Sequence, residues 1–131
     1  MQPDGMAPGS PGDWLRHARS DLAIARAFPL RGALIEALCF HAQQAAEKAI
    51  KAVLIAKGIA PPHTHNIGSL IDRLPSEVVV PFDLHEVSGL TDFAVTARYP
   101  GEIEPITEEE YHDAVKLAEA VVLWAEAFTG K

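Results

Sequence analysis

Between Ala33 and Lys57 the chain runs for 25 residues without a proline or glycine. Leu34, Leu38, Ala42, Ala45, Ala49, Val53 and Ala56 return along it at helical spacing, and Gly58 followed by Pro61 and Pro62 supplies the stop. The apolar face of this helix is largely alanine. Alanine lets backbones approach closely, so the face requires another long helix packed tightly against it, from this chain or from a second copy. That requirement points to a helical bundle before any other segment is considered.

The remaining segments agree. Trp14, Leu15, Ala18, Leu22 and Ala25 form an amphipathic stripe from Asp13 to Phe28, ended by Pro29. Asn66 can cap a short helix to about Leu74, and Asp83 with Glu86 three residues on opens a helix to about Arg98. Thr107 and Glu110 form a capping box with Ile106 and Tyr111 as its staple, and the stripe Val115, Ala118, Val122, Ala125 continues to Phe128. Only Glu77 to Phe82 reads at all like a strand, and it is short, isolated and flanked by proline. The expected fold is an all-α antiparallel up-and-down bundle of about four long helices plus one short helix. Residues 1–12, rich in Pro and Gly, are read as a flexible tail, and 13–131 as one domain.

A length of 131 residues suffices for a core without disulfide or metal staples. The net charge of -7 argues against binding duplex DNA non-specifically, which needs surplus Lys and Arg. No stretch approaches the roughly 20 apolar residues of a membrane span, and no signal peptide is recognisable, so no membrane role is expected. The one cysteine, Cys39, cannot form an intramolecular disulfide; it fits a reducing cytoplasm and reads as a buried, inert thiol.

On a wheel of about 100° per residue, His41, Gln44, Lys48 and Lys51 share one narrow sector beside the apolar face. Ammonium and imidazole groups donate to phosphate oxygens, and an amide can read a base edge or a sugar hydroxyl. The competing reading is a solvated face with an i, i+4 ion pair between Glu47 and Lys51. His63-Thr64-His65 has two histidines but no third ligand nearby, so neither a metal nor another cofactor is expected, and His65 is left to a helix end or a site. Arg98 can clamp a phosphate and Tyr99 can stack on a base, or both can finish a helix. Trp14 and Trp124 read as core.

The run from Phe40 through His41, Gln44, Glu47, Lys48 and Lys51 to Ala52, then Gly58, Thr64-His65-Asn66-Ile67 and Arg98-Tyr99-Pro100, resembles a HEPN domain protein over about Trp14 to Ala127. The resemblance implies a small helical bundle, usually a homodimer, with a groove lined by the long second helix and the Thr-His segment. HEPN proteins include metal-independent ribonucleases, often toxins of toxin–antitoxin pairs, which carry an Arg and a His separated by four to six residues. Others bind nucleotides beside a minimal nucleotidyltransferase. None of Arg16, Arg19, Arg26, Arg31, Arg73 or Arg98 has that histidine; after Arg98 the three positions hold Ile103, Glu104 and Pro105. The resemblance therefore implies a non-catalytic member that binds a nucleotide or nucleotide-bearing molecule through His41, Gln44, Lys48, Lys51, His65, Arg98 and Tyr99, with catalysis in a nucleotidyltransferase partner. Two alternatives stand beside it. One is a ribonuclease toxin with an atypical site built on His41, His65 or His112. The other is a protein-interaction module in which Glu108-Glu109-Glu110 sets the choice of partner.

Overall fold

The computed structural model describes residues 9–92 and 105–129, and every regular element in them is helical. In chain order these are α1 (Pro11–Ala25), α2 (Ile35–Ala56), α3 (Ile67–Ile71), α4 (Leu84–Ser88), a 3-10 turn (Gly89–Thr91) and α5 (Glu108–Thr129). No described helix is long and apolar enough to cross a membrane.

Helix α1 opens at Pro11 rather than Asp13. Ser10 is its cap and accepts from the Asp13 N–H at 3.2 Å, and proline fits the first turn, where its missing N–H costs nothing. At the far end of α2, Gly58 takes φ +78°, with its N–H on Ile55 O and that of Ile59 on Leu54 O, both at 2.9 Å. This crossed pair satisfies the last carbonyls and needs a left-handed residue, which explains the glycine. The capping box of α5 forms as expected: the Thr107 N–H donates to Glu110 Oε1 at 2.9 Å, and the Glu110 N–H donates to Thr107 Oγ1 at 3.1 Å.

Side-chain contacts give the directions. Trp14 at the start of α1 meets Lys51 late in α2, while Arg19 and Arg26 reach Glu126 and Glu119 of α5. So α1 runs antiparallel to both. Lys57 beside the Phe128 ring brings the C-terminal ends of α2 and α5 together, so these two run parallel. Helix α2 is the centre of the domain: Ala42, Ala45, Ala46, Ala49 and Ala52 are all fully buried. Its alanine face is met by α1 and α5 of the same chain, which answers the requirement that the sequence posed.

Two expectations change. Where four long helices were expected, the described residues hold three. The segment opened by Asp83, whose Oδ1 accepts from the Glu86 N–H at 3.0 Å, leaves α-helical geometry after Ser88. Gly89 is the weakest helix former in it, Leu90 is buried, and Thr91 Oγ1 accepts from the Ile67 N–H at 3.0 Å, tying the turn to the start of α3. The continuation to Arg98 lies outside the described residues. Helix α3 stops at Ile71 rather than about Leu74, tightening over Arg73 and Leu74 before Pro75. In keeping with the all-α expectation, Glu77 to Phe82 forms no strand; it lies along α5, where Trp124 Nε1 donates to Val79 O at 3.0 Å and its ring meets Phe82 edge-on at 5.3 Å.

Candidate functional site

Polar chemistry gathers where α1 crosses α2. Asp21 falls at the position between Ala18 and Ala25 on the buried stripe of α1, and its carboxylate is buried. It accepts from Lys48 Nζ at 2.7 Å through Oδ2, while His41 Nδ1 lies 2.9 Å from Oδ1. On α2 itself, one residue before Lys48, a second carboxylate, Glu47, is nearly sealed, with a side chain 3% exposed. It receives Gln43 Nε2 at 2.8 Å and Lys51 Nζ at 2.9 Å, and His65 Nδ1 sits 3.1 and 3.2 Å from its two oxygens.

Sequence reasoning put His41, Gln44, Lys48, Lys51 and His65 in one place, and the structure brings four of them onto two buried carboxylates. Neither reading of the stripe anticipated this. The Glu47–Lys51 pair exists, but it is buried rather than solvated. Each ammonium is matched by its own carboxylate, Lys48 by Asp21 and Lys51 by Glu47, so the lysines leave the stripe no surplus positive charge. Lys51 is only 10% exposed and lies 5.4 Å from the centre of the Trp14 ring, a cation–π contact that holds it between Glu47 and the indole. Lys48, at 27%, still reaches solvent. Gln44 Oε1 is buried with no hydrogen-bond partner among the described residues, and so is Gln43 Oε1. Each is an acceptor waiting for a donor. Arg98 and Tyr99 lie outside the described residues.

Asp21 and Gln43 were missed. The signal was a charged and a polar residue at helical spacing within otherwise apolar stripes, where burial demands a partner. Trp14, expected in the core, is only partly buried. It lines a cleft of about 310 Å³ together with Gly9, Asp13, His17 and Lys48, at the small end of the range for small-molecule sites. Hydrogen bonds from Arg16 and from the Gly9 N–H hold the Asp13 carboxyl below its ordinary range, so it is a firm acceptor at the mouth. An indole face, an ammonium, an imidazole and a carboxylate thus converge on a space suited to an aromatic ring bearing an anionic group.

His112, considered with His41 and His65 as an atypical proton shuttle, belongs to neither carboxylate; it stands 3.7 Å from Glu108 and packs near the Phe28 ring. Among the described residues no three His, Cys, Asp or Glu gather to hold a metal. Burial, with smaller help from Glu36 and Glu110, pushes the Cys39 thiol up to about 12. We expect Cys39 in the folded protein to resist iodoacetamide at pH 8 and to label fully once denaturant unfolds the chain. Rapid labelling of the native protein, followed by mass spectrometry, would contradict that burial.

Comparison with known proteins bears on the whole chain. The family model of the HEPN domain matches residues 12–128. The crystal structure of a Thermus thermophilus protein superposes with a TM-score of 0.80 at 31% sequence identity, covering 92% of this chain and 98% of that one. The crystal structure of an archaeal HEPN homologue gives a TM-score of 0.70 at 28% identity, with the same coverage of 92% and 98%. No curated protein matches the chain.

Proposed function

Because the chain belongs to the HEPN domain family, we propose that it is a non-catalytic, nucleotide-binding member whose ligand sits in the cleft between α1 and α2. The observation that carries this reading is the convergence of the Trp14 indole, Lys48, His17 and the Asp13 carboxylate on one cleft. The base stacks on Trp14, the phosphate meets Lys48 and His17, and Asp13 accepts from an exocyclic amine or a sugar hydroxyl. Asp21 aims Lys48 and His41, and Glu47 fixes Lys51 beneath the indole. Gln44 Oε1 offers an unfilled acceptor on the same helix. Transfer chemistry belongs to a minimal nucleotidyltransferase partner, since no arginine here is followed by the histidine that a HEPN ribonuclease needs to move the proton of the ribose hydroxyl.

The test is a thermal melt with and without ATP or GTP. A ligand at a hundred times its Kd stabilises by about 2.7 kcal/mol, which for a domain of this size raises Tm by several degrees. That shift should persist in Lys57→Ala, whose lysine lies at the far end of α2, and vanish in Lys48→Ala, each variant compared with its own ligand-free melt. Absence of any shift at millimolar nucleotide would overturn the reading.

A further inference from the structure

The cleft between α1 and α2 is lined by charges of opposite sign, Lys48 and Asp13. Lys48 Nζ stands beside Asp21, and Asp13 lies eight residues earlier on α1, about 12 Å along the helix axis. A carboxylate repels a phosphate, so the Asp13 end is left to the part of a nucleotide that lies farthest from its phosphate. That part is the outer edge of the base. Trp14 follows Asp13 directly in the chain, is held by Lys51 Nζ at 5.4 Å from its ring centre, and lines the same cleft. A base stacked on that indole brings its edge to the carboxylate.

Each Asp13 oxygen already holds one donor. Oδ1 accepts from Arg16 Nη2 at 2.8 Å and Oδ2 from the Gly9 N–H at 3.1 Å, which leaves one lone pair on each. His17 Nε2, 3.8 Å from Oδ1, is too distant to fill another. The bonds from Arg16 and Gly9 also hold the carboxyl below its ordinary range, so at neutral pH it carries no proton and only accepts.

We infer, resting on the nucleotide reading of this cleft, that the ligand is a guanine nucleotide and that Asp13 selects it. Guanine alone among the common bases presents two adjacent donors, N1–H and the 2-amino group, spaced to match the two oxygens of a carboxylate as the fork of an arginine does. Adenine and cytosine set their amine beside a ring nitrogen that accepts, and uracil sets its one N–H between two carbonyls. Each of these turns an acceptor toward an oxygen that has no proton to give, and one Asp13 lone pair stays unused.

Calorimetric titration of GTP, ITP and ATP tests this, because the three share ribose and phosphates and differ in the base alone. The wild type should bind GTP about threefold more tightly than ITP, which lacks the 2-amino group, and about tenfold more tightly than ATP. Deoxy-GTP should match GTP, since the ribose lies short of Asp13. In Asp13→Asn, whose melt reports its folding, the amide nitrogen opposes one guanine donor, and GTP should lose its advantage over ATP. Equal affinities for GTP, ITP and ATP, a weakening confined to deoxy-GTP, or a GTP preference that survives in Asp13→Asn would each overturn the guanine assignment and leave the cleft a nucleotide site. Binding of none of them would remove both.

Discussion

Replacing Glu47 with leucine lowers the unfolding free energy by about 3–5 kcal/mol, the range found when one partner of a buried ion pair is removed. Glu47 holds three donors at once, and only one of them has another recourse. His65 is largely exposed and turns to water. Lys51 is 10% exposed and is walled in by the Trp14 ring, so its ammonium is stranded in an apolar setting, and Gln43 Nε2 is stranded with it. For 131 residues such a loss lowers Tm by roughly 10–20 °C. The companion variant makes the argument specific. Glu47→Leu combined with Lys51→Met removes both charges and leaves methylene in contact with the indole, which should restore most of the loss, because buried pairs replaced whole by apolar groups are often neutral. Chemical denaturation of the three proteins checks this. A single variant within about 1 kcal/mol of wild type would show that water reaches Lys51 after all.

The same residue shows what was legible in the sequence. The stripe of Leu38, Ala42, Ala45, Ala49 and Val53 announced α2, and Thr107 with Glu110 announced α5, because periodicity and caps are local properties of a sequence. Glu47 is local too, and its i, i+4 relation to Lys51 was read correctly. Whether that pair lay in water or under Trp14 depended on how α1 crosses α2, which no spacing within one helix encodes. Asp21 is the clearest case. From sequence it is one acid on an apolar stripe; only the antiparallel packing of α1 on α2 brings it to Lys48, 27 residues later. The segment after Asp83 departed locally from a continuous α-helix for the opposite reason. Its local cap formed, but at Gly89, a weak helix former, the chain tightens to a 3-10 turn over Gly89–Thr91, where Thr91 Oγ1 accepts from the N–H at the start of α3. The HEPN resemblance was legible because it joins three separated segments in order, and the family match over residues 12–128 agrees with it.

Asp21→Asn separates the structural role of the cluster from its role in binding, because the two respond with opposite signs. Asparagine keeps the shape of the side chain but removes the charge facing Lys48 and His41. Lys48 is partly solvated, so the cost falls below that of a sealed pair, to about 2 kcal/mol, and Tm drops by roughly 5–10 °C. Affinity for a nucleotide should rise. In wild type the Asp21 carboxylate cancels much of the field of Lys48 in the cleft. Removing a unit charge at about 6 Å from the phosphate, in an effective dielectric near 40, is worth about 1.4 kcal/mol, or tenfold in Kd. On the proposed reading, the charged partner that steadies Lys48 is also what restrains it towards a phosphate. Calorimetric titration of ATP into both proteins, beside their melts, decides the point. If Asp21→Asn is less stable and binds no better, the Asp21–Lys48 pair serves packing alone, and the phosphate must be sought away from Lys48.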